Sequence, residues 1–183
     1  MRRVSVVGNS GSGKSTLACR IAERLDVTHH ELDAIQHLPD WEPVDPADFL
    51  RRAREIADGE GWVVDGNYRE VVVEGPIWER ADTVVWLDLP RPTIMRQVVW
   101  RTVRRGVRRQ ELWNGNRESL RNLLSWDPER SIVRWAWTQH DKYRRRYGAA
   151  MASPDHAHLR FVHLKSHDEA DRWMASLDGP GVS

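Results

Sequence analysis

Arg3-Val4-Ser5-Val6-Val7-Gly8-Asn9-Ser10-Gly11-Ser12-Gly13-Lys14-Ser15-Thr16 decides the fold. Val4 to Val7 is a short β-branched run and reads as a strand. Gly8 to Ser15 then fits G-x-x-x-x-G-K-[ST] at every fixed position. From Ser15 to Leu25, Leu17, Ala18, Ile21, Ala22 and Leu25 recur at helical spacing. A strand, a glycine-rich turn and a helix in this order make a cradle for phosphate. The glycines allow a tight turn, successive N–H groups form an anion-binding nest, and the helix adds its positive end. The phosphate-binding candidates are Gly8, Ser10, Gly11, Ser12, Gly13, Lys14, Ser15 and Thr16. Lys14 supplies a point charge for the β- and γ-phosphates, and the Ser15 hydroxyl is suited to Mg²⁺. The expected ligands are therefore ATP, or another nucleoside triphosphate, and Mg²⁺.

Downstream, short apolar runs alternate with longer helical stretches, which predicts a parallel α/β sheet. Thr28 to Leu32, Trp62 to Asp65, Thr83 to Leu87 and Leu159 to Leu164 read as further strands. Asp45-Pro46-Ala47-Asp48 looks like a helix start, with Asp45 as N-cap and Pro46 at the first helical position. That helix is expected to reach Ala57. Others are expected from about Thr93 past Arg101, from about Pro128 to Tyr147, and from Asp168 to Leu177. Residues 106–128 lack clear periodicity and read as a partly helical excursion.

Phosphoryl transfer needs a second metal anchor and a group that positions the acceptor. Asp65 and Asp88 each end an apolar strand, and both match a strand-then-Asp Walker B pattern. Asp65 is favoured because Gly66 follows it, allowing close approach at the strand's carboxyl end, where open α/β sheets bind ligands. Asp33 ends the second strand region and could face the P-loop across the crevice. A carboxylate there suits a hydroxyl acceptor, whose proton must be taken during attack, and would repel a phosphate acceptor. His29, His30 and His37 lie nearby, with no spacing that compels a metal site.

Charge is unevenly spread. The 183-residue chain has a net charge of only +1, yet residues 91–146 hold 15 of its 28 Lys+Arg and 5 of its 27 Asp+Glu. Arg101, Arg104, Arg105, Arg108 and Arg109 cluster at one helix end. Arginines brought over a transferring phosphoryl group offset its spread charge, and a mobile lid is a natural carrier. The same patch, interleaved with Trp100, Trp113, Trp126, Trp135 and Trp137, could instead contact nucleic acid. No apolar run approaches the roughly 18 residues needed to cross a membrane. The chain is expected in the cytoplasm, as a monomer or homodimer, with no membrane partner. Its single Cys19 is expected to be a small buried side chain.

These residues resemble the adenylate kinase-like P-loop kinases. Within them the chain is most similar to the topology modulation proteins, or adenylate kinase-related kinases. The likeness spans nearly the whole chain. It rests on Gly8 to Ala18, Glu31-Leu32-Asp33-Ala34, Trp62-Val63-Val64-Asp65-Gly66-Asn67-Tyr68, Ala81 to Arg91 and the Arg96 to Arg101 helix. It implies an α/β, three-layer P-loop NTPase fold with a five-stranded parallel sheet, helices on both faces and a helical lid insertion. It implies one domain over residues 1–183, a substrate-side segment near 34–60 and a lid near 104–128. It also implies that Asp65 is the Walker B position, that Arg101 and Arg105 are lid-base arginines, and that Lys165 and Ser166 lie near the adenine. Adenylate kinases have Asp-Gly-[Phe/Tyr]-Pro-Arg where this chain has Asp65-Gly66-Asn67-Tyr68-Arg69. That departure and the acidic Asp33 disfavour a nucleoside monophosphate acceptor. The expected activity is ATP-dependent phosphoryl transfer to a small hydroxyl-bearing metabolite, with Lys14, Asp33, Arg101 and Arg105 as catalytic candidates. The alternatives are nucleoside monophosphate kinase-like activity and a nucleic-acid-associated, NTP-binding regulator of DNA topology.

Overall fold

Strand polarity sorts the sheet from centre to edge. The computed structural model describes residues 1–108 and 132–177. β1 (Arg3–Gly8), β3 (Trp62–Asp65) and β4 (Thr83–Leu87) are almost wholly buried. They are the near-continuous apolar runs expected of strands covered on both faces. β2 (Thr28–Glu31) and β5 (Arg160–Leu164) carry more polar residues and are less buried. The sheet runs β2-β3-β1-β4-β5, every pair parallel, with the polar strands at its two edges. The central β1 has β2 and β3 on one side and β4 and β5 on the other. Its carboxyl end therefore opens at the point where the winding changes direction, the usual ligand crevice of such sheets.

Helices cover both faces. α1 (Lys14–Leu25) buries Leu17, Ala18, Ile21 and Ala22. With Ile94 and Val98 of α5 (Arg91–Arg108), and Ala170 and Met174 of α7 (His167–Ser176), it packs on Val4, Val6, Val63, Val85 and Leu87. On the other face lie α3 (Pro46–Ala57), α4 (Pro76–Arg80) and part of α6 (Ile132–Ala152), over Val7, Trp62, Val64, Val84 and Trp86. Each fully buried Val, Leu or Ile contributes about 1.5–3 kcal/mol.

The predicted start of α3 is realised: Asp45 Oδ1 accepts from the amides of Ala47 (2.9 Å) and Asp48 (3.3 Å). Ser166 caps α7 by accepting from the Glu169 amide at 3.1 Å. Two short helices were not anticipated. α2 (Leu32–Gln36) takes over where the second strand was expected to continue. α4 is placed by tertiary contact, with Trp78 Nε1 donating to Ser5 Oγ at 3.0 Å. α6 runs past the expected Tyr147 to Ala152, and Ser153-Pro154 then ends it. Cys19 is a correction. It is exposed, and its thiol donates to Glu23 Oε1 at 3.5 Å. At about 100° per residue, position 19 has rotated off the stripe formed by Leu17, Ala18, Ile21 and Ala22.

α6 matters most for the site. Its early residue Ala136 belongs to the α1-side core, whereas Tyr143, Tyr147 and Ala150 belong to the opposite core. The helix thus crosses the carboxyl edge of the sheet. Of the expected lid, residues 104–108 form the end of α5, and the rest lies outside the described residues. Among the described residues no helix is long and apolar enough to cross a membrane.

Candidate active site

The glycine-rich turn after β1 is packed from both sides. At Gly11, φ is 82°, and a Cβ would stand 2.3 Å from Val98 Cγ2 of α5. Any side chain there would push α5 off the turn. Asn9, 4% exposed, donates from Nδ2 to the Ala136 carbonyl of α6 at 2.7 Å and accepts from the Ser10 amide at 2.8 Å. Arg101 reaches in from α5, with Nη2 donating to Ser10 Oγ at 3.1 Å. The Ser12 hydroxyl is buried without a hydrogen-bond partner among the described residues. Lys14 and Ser15 are half-buried in the first turn of α1, and Thr16 is exposed. Arg105 lies about one turn beyond Arg101 on α5; its side chain is outside the described residues. Lys165 is exposed in the link from β5 to α7, with its amide donating to Glu169 Oε2 at 2.7 Å. A Cβ on Gly13 would lie 3.3 Å from the ring of His167, so this link borders the P-loop.

Carboxylates gather beside α1. Ser15 Oγ donates to Glu31 Oε1 at 3.2 Å. Parallel pairing sets Glu31 opposite Asp65. Asp65 is 0% exposed, and neither of its carboxylate oxygens has a hydrogen-bond partner among the described residues. His29 Nε2 stands 3.5 Å from Oδ2. An ionised carboxylate buried without donors is costly, and a cation is the natural remedy. A hard divalent ion that takes oxygen ligands fits this donor set, so the residues present suit Mg²⁺. Among the described residues no three of His, Cys, Asp and Glu form an all-protein metal cluster. Mg²⁺ in nucleotide sites is typically held by one or two carboxylates together with substrate phosphates.

Asp88 has a different environment. It is 8% exposed, with Arg144 Nε at 3.1 Å from one oxygen and His163 Nε2 at 2.9 Å from the other. His163 is itself stacked on Trp86, ring centroids 4.0 Å apart. The Asp88 amide donates to the Leu164 carbonyl at 2.8 Å.

Asp33 sits on α2, on the other side of the P-loop crevice from α5. The Tyr68 hydroxyl donates to Asp33 Oδ1 at 2.7 Å, and the Tyr68 ring meets Phe49 edge-on at 5.0 Å. Burial, then the neighbouring Asp33 charge, push the Tyr68 phenol far above its ordinary pKa. It therefore stays protonated and acts as a donor. Burial likewise raises the Tyr143 phenol on α6, and the Arg146 guanidinium lies 5.5 Å from the Tyr143 ring centroid. Motif reading missed Glu31, Asn9, Asn67 and the α6 residues Tyr143, Arg146 and Tyr147. Glu31 carries a signal only once the strand register is known, because the register sets it beside Asp65.

No family model matches the chain, and a search of curated proteins finds no match. Solved structures do resemble it. Shikimate kinase from Bacteroides thetaiotaomicron superposes with a TM-score of 0.55 at 16% identity, covering 97% of this chain and 96% of that one. Shikimate kinase from Acinetobacter baumannii, in complex with shikimate, gives 0.53 at 18% identity, covering 97% and 92%. A gluconokinase from Sinorhizobium meliloti 1021 gives 0.52 at 17% identity, covering 97% and 91%. At such identities the likeness is one of fold, and the fold of this chain is that of the P-loop kinases.

Proposed function

We propose that the protein is an ATP- and Mg²⁺-dependent kinase that moves the γ-phosphate to a small, hydroxyl-bearing metabolite. One observation carries the reading. A fully buried carboxylate, Asp65, has neither oxygen hydrogen-bonded among the described residues and lies in register with Glu31, which holds the Ser15 hydroxyl of a complete phosphate-binding motif. The solved structures of similar fold include shikimate kinases and a gluconokinase, which supports small-molecule phosphoryl transfer. The Leu-Asp-Ala and Asp-Gly-Asn-Tyr pieces support a place among the adenylate kinase-related kinases.

Each residue then has a task. Backbone N–H groups of Gly11 and of Gly13 to Thr16, with the Ser10 and Ser12 hydroxyls and the Lys14 ammonium, hold the phosphates. Ser15 and Asp65 would hold Mg²⁺, with Glu31 accepting from the same hydroxyl or from metal-bound water. When bound, the ion offsets charge on the β- and γ-phosphates. Arg101, already at Ser10, stabilises charge on the transferring group, and Arg105 follows it on the same helix. Lys165 lies at the base side. Asp33 orients the acceptor hydroxyl and accepts its proton, with Tyr68 holding one carboxylate oxygen and leaving the other for substrate. The segment 34–60 forms the acceptor side. The test is a screen of hydroxylated metabolites for ATP consumption. A hit that persists in Lys14→Ala, or no Mg²⁺-dependent nucleotide binding at all, would sink the reading.

One observation favours a second reading, a nucleic-acid-associated regulator. Trp100 is 69% and Trp137 54% exposed on the arginine-rich helices α5 and α6. Salt-dependent binding of single-stranded DNA that weakens in Trp100→Ala would support it.

A further inference from the structure

The loop that leaves β3 carries an unusual substitute for a strand. The β1–β3 ladder reaches its last backbone rung where the Gly66 amide donates to the Val6 carbonyl at 3.4 Å. Beyond that rung β1 continues to Gly8, but β3 has already ended at Asp65. The Asn67 side chain fills the place of the missing strand. Its Oδ1 accepts from the Gly8 amide at 3.2 Å, and its Nδ2 donates to the Gly8 carbonyl at 2.8 Å. A carboxamide presents its carbonyl oxygen and one of its two N–H donors along the same edge, as the C=O and N–H of a single strand residue do. The side chain therefore adds one more rung to the sheet, at the residue that opens the P-loop.

Gly8 is caught between two walls. On the β4 side a Cβ would meet the Leu87 carbonyl at 2.7 Å, and its φ of 153° disfavours other residues. On the β3 side stands Asn67. Asn67 is in turn held by α6: the Tyr147 hydroxyl donates to Oδ1 at 2.8 Å, and Arg146 Nη1 donates to the Asn67 carbonyl at 3.2 Å. Tyr147 is 0% exposed, and burial raises its phenol well above the ordinary value, so it too remains a donor. The next residue, Tyr68, points the other way and holds Asp33. Two adjacent side chains thus hold Gly8 and Asp33.

We propose that Asn67 is a positioning residue for nucleotide binding, which sets the entry of the P-loop by completing the sheet at Gly8 and registers it against α6 through Tyr147. This rests on the reading of Gly8 to Thr16 as the nucleotide site. The remaining P-loop amides bind phosphate well only if they converge before the ligand arrives. Fixing Gly8 removes part of the ordering cost from the binding step.

MgADP is the probe, titrated by calorimetry into the full-length protein, with unfolding followed in parallel without nucleotide. Asn67→Ala is expected to weaken MgADP binding about tenfold, and Tyr147→Phe about threefold, well below their melting temperatures. Amide exchange at Gly8 in the nucleotide-free protein should speed up in both. A merely structural role would lower the melting temperature and leave the affinity of the folded protein unchanged. An affinity within twofold of the parent for Asn67→Ala overturns the proposal. If that variant does not fold, unchanged affinity and unchanged Gly8 exchange in Tyr147→Phe overturn it. Failure of the parent protein to bind MgADP would fell the nucleotide-site reading itself, and the proposal with it, and is distinguished by being seen before any substitution is made.

Discussion

Asp65 and Asp88 end neighbouring apolar strands on either side of β1, and each could serve as a Walker B carboxylate by spacing alone. Their surroundings differ. Asp88 has a guanidinium on one oxygen and an imidazole on the other, so it ties α6 and β5 to the end of β4. Asp65 is fully buried and, among the described residues, has no hydrogen-bond partner on either oxygen; its nearest basic group is His29 Nε2, at 3.5 Å. A buried carboxylate with close donors on both oxygens serves the fold, whereas one without hydrogen bonds raises the energy of the ligand-free protein and suits a cation. The contrast teaches that a strand-ending aspartate is read by what is left unsatisfied around it.

The comparison can be broken by substitution. The largest effect is expected at the proposed phosphate site. Lys14→Ala should cut ATP turnover about 100- to 1,000-fold with little change in melting temperature, measured on an acceptor from the screen. Asp65→Asn should weaken nucleotide binding in Mg²⁺ about 10- to 100-fold while affinity without the metal stays close to the parent. The same variant should unfold at a higher temperature without ligand, because an amide in that place is cheaper to bury than a carboxylate that lacks hydrogen bonds. A fall in melting temperature would mean that Asp65 is a structural group like Asp88. Asp88→Ala should show the opposite pattern. Its loss strands His163 and Arg144 and should cost about 2 kcal/mol of stability by chemical denaturation, with MgADP affinity unchanged. Metal-dependent nucleotide binding that failed in Asp88→Ala would transfer the Walker B role to it. The smallest effect is expected for Arg144→Ala. Arg144 is 57% exposed, so solvent screens its pair with Asp88 and the loss should stay under about 1 kcal/mol.

Much of this molecule is legible one segment at a time. The alternation of β-branched runs with helical spacing forecasts the parallel sheet, and the Asp45-Pro46 start forecasts α3. These features are local, because periodicity and capping act within a few residues. Cys19 shows the limit of a bulk argument: low cysteine count says nothing about which face of α1 a residue occupies. α4 has Pro76 at its first position as a weak local signal, but a five-residue helix depends on burying Ile77 and Trp78 against the sheet. The role of Glu31 depends on strand register, and that of Asn67 on the length by which β1 outlasts β3.

The amino-acid sequence alone gives away the glycine-rich motif, the parallel α/β class and two rival metal carboxylates, Asp65 and Asp88, but not Glu31. Glycine spacing and strand periodicity are local constraints that survive without the rest of the chain. Packing and register, by contrast, set which of the two is held by close donors and which has no hydrogen bond among the described residues. They also decided that a side-chain amide completes the sheet beneath the P-loop. Those outcomes depend on α6 crossing the carboxyl edge and on strand register, which join residues as far apart as Asn67 and Tyr147.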